Sequence, residues 1–418
     1  MLASQVVGAR EFPRAADVVG LDFIAFYTAG SFVADGRIAD LYDLDAKRDF
    51  QRKLAVEIGR DPEAGLAPWW NPPFYAWVFV PFAQLALVPA TVAWTALNLL
   101  MLAVGLICLV RSDGLSTGQD LPARPARSDG WLAALLIVAS MPFLGMVSHA
   151  QNTGMSFLLL SLTVLAWRTR RGMLAGAVCG LLFYKPQLAL LVAGMLVVTL
   201  GWRPLLAICC SGAALLAVTL ITLPGALGDF VTSMPGNLAY AQQQLVYLWD
   251  RHATVKAFWR LLLQGYETGP VGWVVDGLTI LCAGGLAALL VMAGVRWRRS
   301  GDVAGLDRLI AATIVAMPLI MPFYFDYDLL LLAIPAWLLG RDCLAAGGRP
   351  KWLVRAWMVL YAWLYVNAAV AEASRVNGTV LLLSAVAVMM MARVSQRTVR
   401  SVGTQPGAIL QEPAMQAS

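Results

Sequence analysis

The chain has 418 residues, 59% of them hydrophobic and 13% charged, with a formal net charge of +6. Ordinary soluble proteins carry about 25% charged residues, and a soluble fold of this length needs more polar side chains to cover its surface. With a mean hydropathy of +0.69, these figures exclude a soluble enzyme, a disordered chain and a nucleic-acid-binding domain. A membrane β-barrel would alternate polar and apolar residues in strands of about ten. Here continuous apolar runs of helix length recur instead, so an all-α polytopic membrane protein is expected.

The positive excess lies in short clusters, among them Arg168-Thr169-Arg170-Arg171 and Arg296-Trp297-Arg298-Arg299. Such clusters mark cytoplasmic loops, whereas a nucleic-acid binder gathers its charge on one large face. The six cysteines, at 108, 179, 209, 210, 282 and 343, lie mostly in apolar runs and show no CxxC spacing. They read as small buried hydrophobes, with neither a disulfide nor a metal site expected.

Residues 1–17 contain Arg10, Glu11, Arg14 and Asp17 and no apolar core of a signal peptide. Residues 18–36 are moderately apolar but interrupted by Asp22, which predicts an amphipathic or partly buried helix. Residues 37–71 are polar and read as an extramembrane segment on the bilayer surface. From Pro72 twelve apolar segments follow: 74–88, 90–110, 131–148, 154–168, 172–184, 187–201, 203–223, 272–296, 307–322, 327–340, 352–370 and 377–393. Basic loops at 168–171, 296–308 and 340–351, with the tail from Arg393, are expected inside. The alternating loops at 148–153, 185–187, 224–271, 323–327 and 371–376 are then outside.

With residues 1–71 outside and the C-terminus inside, the number of crossings is odd. One of the twelve segments is therefore not a full span, and 74–88, short and opened by Pro72-Pro73, is the expected exception. That leaves about eleven transmembrane helices over 72–394, with a disordered cytoplasmic tail over 395–418. In the loop 224–271, Leu238, Ala241, Leu245 and Leu248 at helical spacing predict an interfacial helix. Val255, Phe258, Trp259 and Leu262 predict a second.

Polar groups at the membrane edge mark candidate sites. Asp22 reads either as a functional carboxylate or as a helix N-terminal charge. Trp69-Trp70-Asn71-Pro72-Pro73-Phe74 is a helix start that could also line a lipid or sugar groove. Gln151 and Asn152 sit in a polar turn after His149. In Tyr184-Lys185-Pro186-Gln187 a cation interrupts an apolar stretch, either to hold a phosphate or to snorkel to headgroups. Asp250-Arg251-His252 joins an acid to two cations, and Phe323-Tyr324-Phe325-Asp326-Tyr327-Asp328 sets two carboxylates among aromatics. Asp22, Gln151, Lys185, His252 and Asp326 all fall on the expected outer side. Together they offer a base for an acceptor hydroxyl and cations for a departing phosphate.

The order Asp22-Phe23…Tyr27, Gly36…Leu41-Tyr42, Asn71-Pro72-Pro73-Phe74, Gln151-Asn152, Tyr184-Lys185-Pro186-Gln187, Tyr327-Asp328-Leu329 resembles glycosyltransferase family 87. That family includes polyprenol-phosphate-mannose-dependent mannosyltransferases, and the likeness spans roughly residues 20–335. It implies a GT-C-like helix bundle in a bacterial plasma membrane, with its active site on the outer face. It also implies inverting transfer of a hexose, mannose first, from a polyprenyl-phosphate donor to a lipid, glycan or protein hydroxyl. By the same resemblance Asp22 is the catalytic base, within an N-terminal segment 1–71. His252 is a donor-phosphate ligand, joined by Lys185 and Arg251. The substrate groove is expected to include Tyr27, Tyr42, Asn71, Gln151, Asn152, Tyr184, Gln187, Asp326 and Asp328. No cofactor or metal is expected, because the donor's single phosphate charge can be offset by side chains. The family pattern places a transmembrane helix before the acid. Only a short, largely polar stretch precedes Asp22, so that helix is expected to be encoded upstream or lost. The alternative is a multi-pass transporter or flippase for a lipid-linked saccharide. It predicts inverted repeats and mid-span charges, yet the spans are nearly free of charge.

Overall fold

Asp22 stands at the head of helix α1 (Phe23–Ala34), in which only Ile24 and Ala34 are not buried. The computed structural model describes residues 22–59, 61, 66–111, 127–244, 247–300, 305–345 and 351–394. The polar stretch 1–21, Leu245 and the tail 395–418 lie outside the described residues. α1 is apolar on all sides, and such a helix is stable only when enclosed. It is therefore a core element rather than the amphipathic or partly buried helix expected. Its partners are aromatic: Phe26 stacks on Phe79 at 4.9 Å between ring centroids, and Phe79 meets Trp94 edge-on at 4.7 Å. Gly30 permits the approach, because a Cβ there would lie 2.6 Å from the Phe79 carbonyl.

Helix α2 (Leu44–Glu57) is capped by Asp43, whose carboxylate accepts from the amides of Asp45 and Ala46. It buries Lys47, Gln51, Leu54 and Ala55 and turns its other faces outward. Prolines shape the next segment. Pro73–Phe79 is a 3₁₀ stretch running into one α-turn, Val80–Ala83. This stretch covers most of the segment 74–88 and is shorter than the roughly 20 residues that cross a bilayer.

The apolar segments become α3 (Leu87–Arg111), α4 (Arg127–Val138), α5 (Met141–Ser148), α6 (Thr153–Arg168), α7 (Gly172–Leu181), α8 (Pro186–Leu200) and α9 (Trp202–Thr222). After them come α10 (Ala226–Gln243), α11 (Val255–Gln264), α12 (Trp273–Ser300), α13 (Gly305–Ile320), α14 (Ala333–Ala345), α15 (Lys351–Trp363), α16 (Asn367–Ser374) and α17 (Gly378–Arg393). Among the described residues, α3, α9 and α12 are long and apolar enough to cross a membrane. Up to five spans result if α4–α5, bent by 59°, and α15–α16, bent by 70°, each count as one. Length and composition thus do not reach the expected count of about eleven. Several apolar runs are cut by turns into helices of 10–17 residues, as at Lys185-Pro186 and Gly201.

Helix α13 forms the centre, with every residue from Leu309 to Leu319 buried. It packs against α12, α14 and α17, while α6 packs on α3 and α7, and α7 on α9. In the loop 224–271, α11 matches the second helix expected there. The first starts earlier, at Ala226, and ends at Gln243, so Leu248 lies beyond it.

Lys47 is 1% exposed, and its ammonium has no hydrogen-bond partner among the described residues. Its Nζ sits 5.5 Å from the Tyr42 ring centroid, and burial pulls its pKa down to about 7. Because the folded state holds this lysine below its unfolded value, the stability penalty is full below about pH 7 and fades as pH rises toward 10.5. Lys47→Met should therefore stabilise the protein at pH 7, by an amount on the order of a few kcal/mol, and raise its unfolding temperature. The gain should shrink at pH 10, as followed by thermal unfolding in detergent.

Candidate active site

The turn between α5 and α6 presents the first functional group. Ala150 adopts a left-handed conformation, φ 46°, and the amide of Gln151 donates back to the Met146 carbonyl. This closes the end of α5 in the manner of a helix C-cap. A non-glycine residue there is strained. The indole of Trp94 holds the turn by donating to the Ala150 carbonyl at 3.0 Å. Gln151 is thereby aimed at α1, and its Nε2 donates to Asp22 Oδ2 at 2.7 Å. Asp22 occupies the N-cap position but makes no side-chain cap bond. Its carboxylate is committed to the cleft rather than to its own helix.

A second cluster lies on the same wall. Lys185, at the head of α8, donates to both oxygens of Asp328 at 3.0 Å, and Thr153 Oγ1 donates to Asp328 Oδ1 at 2.8 Å. Lys185 is 8% exposed and Asp328 3%. Around this pair lie groups that hold the backbone. Tyr42 Oη donates to the Asn71 carbonyl, and Asn71 Nδ2 donates to the Tyr184 carbonyl. Tyr184 pairs with Ser156, and Asn152 Nδ2 donates to Tyr75 Oη. Tyr27 Oη donates to the Leu85 carbonyl.

The third cluster is zipped together by a single antiparallel bridge between His252 and Phe325, with the Ala253 amide donating to the Tyr324 carbonyl at 2.8 Å. This sets Arg251 against Asp326 in a two-bonded pair, both bonds 2.9 Å. A third guanidinium donor meets His149 Nε2 at 3.1 Å. That nitrogen must accept, so His149 carries its proton on Nδ1, 3.0 Å from the Gly145 carbonyl. Burial, then the nearby Arg251 charge, keeps His149 below the ordinary histidine pKa. Burial raises the Asp326 pKa, but Arg251 overrides it and holds the group below the usual carboxylate range. His252 is 1% exposed and parallel to the Tyr247 ring at 5.2 Å. Burial drops its pKa to about 3, and its Nε2 lacks a hydrogen-bond partner among the described residues.

A cleft of about 710 Å³ joins the first two clusters. Asp22, Asn71, Gln151, Tyr184, Lys185, Gln187 and Asp328 line it, as do the apolar Ile24, Leu87, Val88, Val92, Met234 and Leu238. Arg251, His149 and Asp326 line a separate small cavity of about 40 Å³ behind it. His252 lines neither; Tyr247, stacked on it, forms cleft wall. Tyr27, Tyr42 and Asn152 are buried behind the cleft and support its walls. Thr153, His149 and Tyr327, outside the expected site residues, are part of the assembly. Thr153 and His149 flank the turn that carries Gln151 and Asn152, and Tyr327 lies between the two expected aspartates.

The sequence profile of glycosyltransferase family 87 matches residues 69–322, well over half of the chain. The chain belongs to glycosyltransferase family 87. The match takes in Asn71, Gln151, Asn152, Tyr184, Lys185, Gln187, Arg251 and His252, with Asp22, Tyr27, Tyr42, Asp326 and Asp328 outside its bounds. No curated protein and no solved structure matches the chain. Membership makes this a glycosyltransferase and sets the transporter reading aside.

Removing one partner of a buried ion pair leaves an uncompensated charge and costs about 3–5 kcal/mol. Lys185→Met should lower thermal stability by that order, and the double variant Lys185→Met with Asp328→Leu should recover most of the loss. Thermal unfolding of the three proteins checks this.

Proposed function

We propose that this glycosyltransferase moves a hexose, mannose by family resemblance, from a polyprenyl-phosphate donor to an acceptor hydroxyl by one inverting displacement. The acceptor is a lipid, glycan or protein, and the reaction takes place at the outer face of a bacterial plasma membrane. The observation that carries the reading is Asp22. It opens onto the cleft with Oδ2 held by Gln151, and no basic side chain is paired with it among the described residues. In this reading the acceptor hydroxyl loses its proton to Asp22 as it attacks the anomeric carbon, and the lipid phosphate leaves. A single displacement needs one base, not two closely spaced carboxylates.

The apolar stretch of the wall, Ile24 with Leu87, Val88 and Val92 of α3 and Leu238 of α10, suits an isoprenoid chain. The charge of the cleft suits one phosphate rather than two. Lys185, its single lining cation among the described residues, faces the carboxylates of Asp22, Asp61 and Asp328, which would repel a diphosphate. The donor phosphate then shares Lys185 with Asp328. Arg251, saturated by Asp326 and His149, adds a positive background from behind the wall. His252 meets the phosphate only when Tyr247 turns aside. The proposed chemistry requires no divalent metal.

Asp22→Asn should abolish sugar transfer in membranes given labelled polyprenyl-phosphate mannose, while leaving expression and donor binding near wild type. Full activity in that variant would remove Asp22 from the mechanism. Wild-type transfer should persist in EDTA, and its loss there would contradict the metal-free scheme.

A further inference from the structure

Among the described residues Tyr327 is the one shared by the walls of both cavities. Its ring is pinned on every side. Lys185 Nζ lies 5.4 Å from its centroid and the Arg251 guanidinium carbon 6.0 Å. Phe325 stacks on it at 5.2 Å with 12° between the planes. Gly145 lies against its Cβ, where an added methyl would stand 3.4 Å away. Cation–π contact and stacking both favour this single orientation.

The phenol at the end of this clamped ring has no hydrogen-bond partner among the described residues, yet it is not among the sealed, unpaired polar atoms. It is therefore open to cavity space. The charges it feels most are the carboxylates of Asp22 and then Asp328, both of which line the large cleft. An O–H group whose strongest charged neighbours are carboxylates is a poor partner for a second anion and a good one for a neutral oxygen. With the backbone amide of Tyr327 already spent on Asp326 Oδ1 at 2.8 Å, the phenol is the hydrogen-bond donor this residue offers to a ligand.

We propose that Tyr327 is a substrate-binding residue whose phenol donates to a sugar hydroxyl beside Asp22, fixing the saccharide for attack. This rests on the glycosyltransfer reading above and names a recognition contact within that site. The hydroxyl belongs either to the sugar being transferred or to a saccharide acceptor.

Tyr327→Phe keeps the ring, both cations and the stacking, and removes only the O–H. Transfer from labelled polyprenyl-phosphate mannose by the full-length protein in detergent should fall about tenfold or more in kcat/KM, with an unchanged unfolding temperature. Slow hydrolysis of the donor in the absence of acceptor distinguishes the two sources. If hydrolysis falls in step with transfer, the phenol holds the transferred sugar; if hydrolysis is unchanged while the acceptor KM rises, it holds the acceptor. Wild-type kcat and KM for both substrates in the variant would overturn the proposal while leaving the glycosyltransfer reading intact. A wild-type protein that transfers and hydrolyses nothing would overturn both.

Discussion

Lys185 and Asp328 can be buried only together, and much of the site depends on that requirement. An isolated charge in an apolar interior is prohibitive, so the 3₁₀ stretch Asp326–Leu332 has to lie against the head of α8 and the first residue of α6, where Thr153 completes the cluster. Placing Asp328 there also places its neighbours. Tyr327 comes to rest between the Lys185 and Arg251 cations, and Asp326 is delivered to Arg251. The bridge between His252 and Phe325 then draws the loop before α11 onto the same spot. One ion pair thus organises residues more than a hundred positions apart.

Against this background the isolation of Asp22 has chemical meaning. The other two acids of the cluster are each matched by a cation, Asp326 by Arg251 and Asp328 by Lys185. Among the described residues Asp22 receives a neutral amide and no cation. A carboxylate locked in an ion pair is a weak base, whereas one oriented by an amide keeps an oxygen for a substrate proton. The rigidity of its support comes from aromatic packing under α1 and from the strained turn at Ala150, which Trp94 holds in place. Strain kept at one such turn is common where a side chain must point in a set direction.

Some of this is legible from residue order alone. The polar islands at Asp22, Gln151 and Lys185 stand out because their flanks are apolar, and they do line one cleft. The run around Asp326 and Asp328 is equally visible, but its split is not: adjacent residues of a 3₁₀ turn point to different cavities, which depends on backbone geometry. The burial of α1 is hidden because one aspartate at its head looks like a polar face when it is a terminus. The first helix of the 224–271 loop sits N-terminal to its expected place, and Pro235 lies inside α10 without ending it. Helix count suffers from the reverse problem. Apolar runs are continuous in composition, but prolines and turns cut them into short helices. The seclusion of His252 behind Tyr247 is a tertiary fact with no local signal.

The account depends on Asp22 and Lys185 opening onto one aqueous cleft on one side of the membrane. Substituted-cysteine labelling tests this most directly: single cysteines at position 22 and at Gln187, beside Lys185, are probed in sealed vesicles of known orientation with a membrane-impermeant maleimide. The account predicts that both are labelled from the same side and that both are protected by polyprenyl-phosphate mannose. Labelling from opposite sides would contradict it.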